Sequence, residues 1–346
     1  MSKNSELTNA RIGKKDEFYT QYEDIEKEME YHKDSFKDKI VYCNCDDPTW
    51  SAFWKYFHKN FKILSLKKLI STHYEEDGVS YKMVYEGGDD EIINTGKITI
   101  LKGNGGFQTE ECIAILDEAD IIVSNPPFSL FRDYVDILIG HNKKFLILGN
   151  MNALTYKNIF PLFRDNKMWY GASIHYGDRK FIVPDDYPLT ASGCGVDENG
   201  QKYVKVKGIR WFTNIDYSTR YVDLSLNRTY SAENYPKYEN CDAINVDKYK
   251  DIPYDYDGVM GVPITFIDHY NPRQFKILGL DKDFTSDKKR GIINGKQLYA
   301  RVFIKNLHKW MEDSDKINAV NYHPHIWYDF ILLVLTKTSL YAILYV

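Results

Sequence analysis

The sequence predicts an α/β fold: a doubly wound, mostly parallel sheet up to about residue 165, then a mixed α+β second region. Short β-branched runs alternate with helical apolar spacings through the first half, the pattern of a parallel sheet with helices on both faces. Beyond Lys167 the alternation breaks into short aromatic strands separated by turn clusters such as Pro184-Asp185-Asp186-Tyr187 and Asp255-Tyr256-Asp257-Gly258. A chain of 346 residues is long enough for one large domain or two modest ones.

Phe18, Tyr22, Ile25 and Met29 recur at helical spacing and predict a helix over 16–33. A short strand follows at 39–44. Pro48 is expected to open a helix through Trp50, Phe53, Trp54 and Phe57. A second strand is expected at 61–66, and 81–85 with 97–101 read as an inserted hairpin. Thr109 is a natural N-cap for a helix over 110–118, whose first turn carries Glu110 and Glu111. Ile121 to Val123 read as a buried strand, 130–139 as a helix, 144–148 as a strand and 156–163 as a helix. The run 330–346 is apolar but holds Lys337 and Thr338, and its 17 residues fall short of a membrane span.

Composition sets limits. A net charge of -4 argues against a broadly basic nucleic-acid surface, while leaving room for local patches. The 28 Tyr and 18 Phe suit stacking on bases, although an AT-rich genome produces the same excess. The cysteines stand at 43, 45, 112, 194 and 241 without a CxxC pair, so no zinc site is expected. The odd count and the polar N-terminus fit a reduced, cytoplasmic protein. Cys43 and Cys45 are expected on one strand face. His323-Pro324-His325 lacks a third ligand at useful spacing, so no metal is expected.

The chemistry concentrates in Asn125-Pro126-Pro127-Phe128, placed where an apolar strand stops. Two prolines force an extended turn. In open α/β sheets, ligands sit beyond the carboxyl ends of strands. An amide, rigid carbonyls and a ring at such a place suit a planar base with an exocyclic amine. Hydrogen bonds from that amine to the Asn125 oxygen and the Pro126 carbonyl would aim its lone pair at an electrophilic methyl. The bland alternative is a plain strand-to-helix turn. Val41 to Pro48 is a second strand end, where Asp46 or Asp47 either holds a cofactor or caps the next helix. Phe18-Tyr19-Thr20-Gln21 reads by itself as a capping segment. Lys202, Lys205, Lys207 and Arg210, running into Trp211 and Phe212, form a basic aromatic stretch. Lys288, Lys289 and Arg290 form a second. Each reads as a DNA contact or as a solvated strand face or turn.

These pieces together resemble the EcoRI-type adenine-specific (N6) DNA methyltransferases. The resemblance covers about residues 8 to 306. It is carried by Lys14 to Tyr22, Cys45-Asp46-Asp47-Pro48 with Phe53 to Phe57, Gly105-Gly106-Phe107, Asn125 to Arg132, Lys144 to Asn150, Val206 to Asn214 and Asp255 to Phe266. It implies a Rossmann-like domain (8–170) that binds S-adenosylmethionine through Phe18, Tyr19, Thr20, Cys45, Asp46 and Asp47. It also implies a target-recognition region (171–306), with 307–346 left as an atypical tail. Asn125, Pro126, Pro127 and Phe128 would methylate an adenine flipped out of duplex DNA. A restriction endonuclease encoded nearby is the implied companion. Gly106 stands where such enzymes often carry an acidic residue that contacts the cofactor adenine; either Asp90 or Glu110 substitutes for it, or adenine binding rests on apolar contacts. The competing readings are a guanine-N2 RNA methyltransferase, a glutamine-N5 protein methyltransferase and a catalytically decayed DNA-binding relative.

Overall fold

The computed structural model describes residues 18–307, apart from 90, 91, 93, 94, 186, 191, 192, 286 and 287. In the first half lie α1 (Tyr22–Met29), β1 (Ile40–Cys43), α2 (Ala52–Lys59), β2 (Lys68–His73), β3 (Tyr81–Tyr85), β4 (Lys97–Ile100), α3 (Glu110–Glu118), β5 (Ile121–Ser124), α4 (Phe131–Gly140) and β6 (Lys144–Asn150). Next come α5 (Phe160–Arg164), β7 (Trp169–Tyr170), β8 (Asp178–Ile182), β9 (Cys194–Val196), β10 (Lys202–Lys207) and β11 (Ile209–Thr213). The last described part holds β12 (Ile244–Asn245), β13 (Met260–Pro263), β14 (Phe275–Leu280), β15 (Ile292–Ile293), β16 (Lys296–Gln297) and β17 (Arg301–Asn306).

The architecture is α/β, built on a mixed eight-stranded sheet of order β4-β3-β2-β1-β5-β6-β11-β7. Its centre is parallel, with β1 between β2 and β5, and β6 beyond β5. Antiparallel strands extend both edges. Strand alternation sends Val41, Cys43, Leu69, Ile121, Val123 and Trp211 to one face, where Ile25 and Met29 of α1 and Phe53, Trp54 and Phe57 of α2 cover them. Tyr42, Ile70, Ile122, Phe145 and Phe212 go to the other, under Ile115 of α3 and Tyr134, Val135 and Leu138 of α4. Burial on both faces explains why these strands read as apolar runs rather than alternating ones.

A four-stranded sheet, β12-β13-β17-β14, packs Met260, Val262, Ile277 and Ile304 into the same core as α3 and α4. A three-stranded sheet, β8-β10-β9, adds Phe181 and Val204 to the α1–α2 side. The sheet of the first region is therefore completed by β11, which belongs to the expected second region, and both share one core.

Several local expectations are corrected. The first helix begins at Tyr22; Tyr19 instead forms an antiparallel bridge with Ile182. Asp16, like the tail with its His pair and apolar run, lies outside the described residues. Pro48 lies in a turn and Ser51 caps α2, its Oγ accepting from the N–H groups of Phe53 and Trp54. The second strand is Lys68–His73, not 61–66. Phe61, Leu64 and Leu66 are buried, but in a turn that Ser65 closes at a positive φ of 50°. Cys45 lies past the end of β1 and packs on the opposite side of the sheet from Cys43. The helix expected at 156–163 shortens to α5 because Met151–Thr155 forms a 3-10 turn first. The hairpin, the Thr109 cap and the strand before Asn125 stand where expected.

One buried carboxylate fastens α1 to the chain beyond β7. Glu28 is fully buried and accepts from the N–H groups of Ala172 (2.8 Å) and Ser173 (2.7 Å), with His32 Nε2 3.0 Å away. A Cβ at Gly171 would stand 2.2 Å from the Glu28 carboxylate and 2.6 Å from Trp211 Cβ. Gly171→Ala is therefore expected to lower stability by about 1–3 kcal/mol through overpacking, read as the urea midpoint. An unchanged midpoint would mean that the carboxylate has room to retreat.

Candidate active site

The crevice forms where the chain reverses its direction of travel across the sheet. From β1 it steps to β2 on one side; β5 then enters on the other. The loops after β1 and β5 are thus forced apart at their carboxyl ends, the usual ligand position in open α/β sheets.

Asp46 ties the two loops together. Its carboxylate accepts from Ser124 Oγ at the end of β5 (2.7 Å), from Ser51 Oγ (3.2 Å) and from the backbone N–H of Asn125. Ser124 Oγ in turn accepts from the Cys45 N–H at 3.2 Å. From β2, the Ser71 hydroxyl reaches the carbonyls of Cys43 and Asp46. Burial pushes the Asp46 carboxyl up to about 7, against the pull of those three donors. Asp47 is spent differently. It accepts from Thr49 N–H (2.8 Å) and Tyr81 OH (3.1 Å), and its other oxygen lies 2.8 Å from His73 Nδ1. Burial and the Asp47 charge push the Tyr81 phenol up to about 12.

Asn125 follows directly. Its Nδ2 donates to the backbone carbonyl of Phe18. A carbonyl cannot donate, so this contact fixes which end of the amide is nitrogen. The other end, Oδ1, is buried and has no hydrogen-bond partner. The Phe128 ring lies 5.5 Å from that of Phe18 and 6.3 Å from that of Phe181. Phe18 also meets Phe181 (5.7 Å) and Tyr187 (6.4 Å). Tyr19 exchanges backbone hydrogen bonds with Ile182 and packs its ring 3.9 Å from Trp50. Thr20 Oγ1 is a second buried polar atom without a partner.

The fold thus brings together Phe18, Tyr19, Thr20, Cys45, Asp46 and Asp47 with Asn125 to Phe128. It also adds Ser51, Ser71, Ser124, His73, Phe181 and Tyr187, which the sequence reading did not single out. Only Ser124 carried a sequence signal, as a hydroxyl immediately before Asn125. Near Gly106, Glu110 is exposed, whereas Glu111 turns back to accept from the N–H groups of Lys102 and Gly103. Asp90 is outside the described residues.

The basic residues divide. Lys205 and Lys207 are exposed on the outer face of β10, and Lys180 stands directly across from Lys205. Lys288 and Lys289 are exposed, and Arg290 lies 3.9 Å from the buried Asp281. Arg210 is corrected: it is buried, grips Asp268 with two nitrogens (2.5 and 2.9 Å) and donates to the carbonyls of Ile209 and His175. Trp211 and Phe212 are core residues on opposite faces of the central sheet.

A model of the adenine-specific methyltransferase EcoRI family matches residues 6–313. The chain belongs to the EcoRI family of adenine-specific methyltransferases. It is an enzyme that methylates adenine in DNA. The methyltransferase is 46% identical to the Type II methyltransferase M.EcoRI of Escherichia coli over 317 residues, which is 88% of this chain and 97% of that protein. It is 38% identical to M.MgeORF184P of Mycoplasma genitalium and to M.MpnI of Mycoplasma pneumoniae, in each case over 86% of this chain. Those alignments span 98% and 97% of the respective relatives. No solved structure matches the chain significantly.

The Asp46 carboxyl gives this methyltransferase a pH signature. With a folded-state pKa near 7 and an ordinary value near 3.8, the folded protein keeps a proton that the unfolded chain has lost. Stability therefore falls as pH rises from about 4 to about 7 and then levels off. Asp46→Asn should flatten that part of the profile, measured as urea midpoints between pH 4.5 and 8. Parallel profiles for variant and wild type would contradict the assignment.

Proposed function

We propose that the enzyme transfers a methyl group to the N6 nitrogen of an adenine flipped out of duplex DNA, with S-adenosylmethionine as donor. The observation that supports this most is the Asn125 amide, whose orientation Phe18 fixes so that a buried oxygen is left for an amine to meet. The exocyclic amine of adenine is a weak nucleophile because its lone pair conjugates with the ring. Acceptance of its N–H groups by Asn125 Oδ1 and the Pro126 carbonyl makes the nitrogen more pyramidal and fixes its direction. That is orientation plus electrostatic stabilisation, with no covalent intermediate. Pro127 keeps the turn extended, and Phe128 stacks on the base.

S-adenosylmethionine supplies a methyl group activated by a sulfonium. The donor set suits it: the unpartnered Thr20 hydroxyl, the polypeptide at Phe18 and Tyr19, and the loop Cys45-Asp46-Asp47 at the end of β1. With its carboxylate already satisfied, Asp46 acts by holding that loop against Asn125 rather than through a free oxygen. We take the sheet with its two helix-covered faces as a doubly wound, Rossmann-like methyltransferase core, 8–170, and 171–306 as the target-recognition region.

Duplex contacts are assigned to Lys205 and Lys207 on β10 and to Lys288, Lys289 and Arg290; Arg210 is not among them. A Type II modification role pairs the enzyme with a restriction endonuclease of the same site, without a stable complex. No helix of the described residues is long and apolar enough to cross a membrane, and cytoplasmic DNA is the proposed setting.

Asn125→Ala should lower kcat by about 10²–10³-fold while cofactor affinity stays within about threefold. Mass spectrometry of digested DNA reads the first and calorimetry the second. Wild-type turnover by this variant would remove Asn125 from the mechanism. Replacing Lys205 and Lys207 together by Ala should reduce the slope of log affinity against log salt by about 2. An unchanged slope would place the DNA elsewhere.

A further inference from the structure

The Asn294-Gly295 turn makes β15 and β16 into a short two-stranded ribbon that is separate from the other sheets. Both turn residues have positive φ, 50° and 68°, which matches the twist of a two-residue hairpin. Ile292 pairs with Gln297 and Ile293 with Lys296, and the Leu298 N–H donates to the Gly291 carbonyl one step below (3.0 Å). The root of the ribbon is fixed. The Gly291 N–H donates to Asp281 (3.2 Å), the Ile292 N–H to Asn240 Oδ1 (3.0 Å), and the Glu239 N–H to the Ile292 carbonyl (3.0 Å). At the tip, the Gly295 N–H donates to the Glu239 carboxylate (2.8 Å). A Cβ on Gly291 would stand 2.4 Å from the Tyr238 ring, so the ribbon lies directly on that buried side chain.

Strand alternation sorts the side chains of the ribbon. Ile293 and Leu298 pack toward Tyr238 and Phe303. Ile292, Gln297 and Tyr299 take the opposite face, with Ile292 directly across from Gln297. Gln297 is exposed and Tyr299 is 90% exposed. Among the described residues, neither makes a side-chain hydrogen bond. Lys282, Lys288, Lys289 and Lys296 are exposed around the ribbon. The exposed acids beside them, Asp283 and Glu239, each accept a backbone N–H. Charge here favours a polyanion.

The ribbon also stands at the right end of the molecule. Residues 281–300 leave the four-stranded sheet where β14 stops and rejoin it at Arg301, opposite Pro263 at the end of β13. Five residues beyond Pro263, Asp268 grips Arg210. Arg210 pairs with Gly149 of β6, two residues beyond the Ile147 that pairs with Ser124. The root of the ribbon is thus tied to the carboxyl end of the central sheet, where Asn125 lies.

We propose that the β15–β16 ribbon enters the major groove of the target duplex and that Gln297 reads one base pair of the recognition sequence, apart from the target adenine. The proposal rests on the duplex-DNA reading above. The major groove admits a two-stranded ribbon, and a Gln amide matches the N7 acceptor and N6 donor of an adenine. Ile292 beside it offers the apolar contact that a thymine methyl takes. The surrounding lysines meet phosphates and set the register of the ribbon without reading sequence. Because the ribbon is already formed, little conformational freedom is lost on docking.

The test uses the full-length enzyme. N6-methyladenine is mapped by sequencing in DNA from a methylation-deficient host that expresses wild type, Gln297→Ala, or Lys288→Ala with Lys289→Ala. Gln297→Ala should loosen the recognition sequence at one A·T pair. There the ratio of kcat/KM between cognate and singly changed duplexes should fall about tenfold to a hundredfold. The lysine variant should weaken all duplexes alike and keep the sequence. Exposure of Gln297 means that its variant should keep the wild-type urea midpoint. A 7-deazaadenine at the loosened pair removes the N7 acceptor from the major groove. It should lower wild-type kcat/KM by about threefold to tenfold and change that of Gln297→Ala by less than about twofold.

An unchanged recognition sequence with unchanged discrimination in Gln297→Ala would overturn the proposal. So would a uniform loss on every duplex, which marks a phosphate contact, or a 7-deazaadenine effect as large in the variant as in wild type. The underlying reading fails by a different result: wild-type enzyme that leaves no N6-methyladenine in the host DNA, which would remove the proposal with it.

Discussion

The Asp46 carboxylate is the joint on which the site depends. Two adjacent parallel strands end side by side, and nothing in a parallel ladder fixes how their following loops meet. Here one buried acid takes hydroxyl hydrogens from Ser51 and Ser124 and the N–H of Asn125. It thereby links the start of α2, the end of β5 and the first residue of the proposed catalytic turn. An ionised carboxylate in this position is costly, so burial raises its pKa to about 7 even though three donors converge on it and oppose that rise. Separating the loops would leave the carboxylate and its donors unpaired, so their relative position is stiff.

Asn125 inherits that stiffness and adds a second constraint from the other side. The Phe18 carbonyl selects the orientation of its amide, and the Tyr19–Ile182 bridge carries the same segment against β8. Glu28 fastens the far end of α1 to the loop that feeds β8. The segment from Phe18 through α1 and the chain that leads into β8 are thus attached to each other at both ends, with Phe18, Phe128 and Phe181 packed together between them. An amide whose direction is set by the Phe18 carbonyl, on a backbone held by the buried Asp46 carboxyl, needs little rearrangement to present its oxygen.

What could be read in advance follows the range of each interaction. Asn125 to Phe128 was legible because its chemistry is contiguous and an apolar strand precedes it. The Thr109 cap and the β3–β4 hairpin were legible for the same local reason. Phe61 to Leu66 misled because burial under a sheet edge gives a turn the composition of a strand. Arg210 misled more deeply: beside Lys205 and Lys207 it looks like surface, and only Asp268, 58 residues away, turns it inward. Ser51, Ser71 and Phe181 were silent because a serine or phenylalanine means nothing until the fold supplies its partner. The family resemblance pointed to the site from separate motifs; the geometry then distinguished Asp46 as a joint from Asp47 as a turn residue bound to Thr49, Tyr81 and His73.

The most direct measurement is a structure of the enzyme bound to demethylated cofactor product and a duplex carrying its target adenine. The account predicts an extrahelical adenine with N6 about 3 Å from both Asn125 Oδ1 and the Pro126 carbonyl, its ring against Phe128 and the Phe18 carbonyl still accepting from Asn125 Nδ2. An adenine amine turned away from Asn125, or an Asn125 amide rotated so that its nitrogen faces the base, would contradict it.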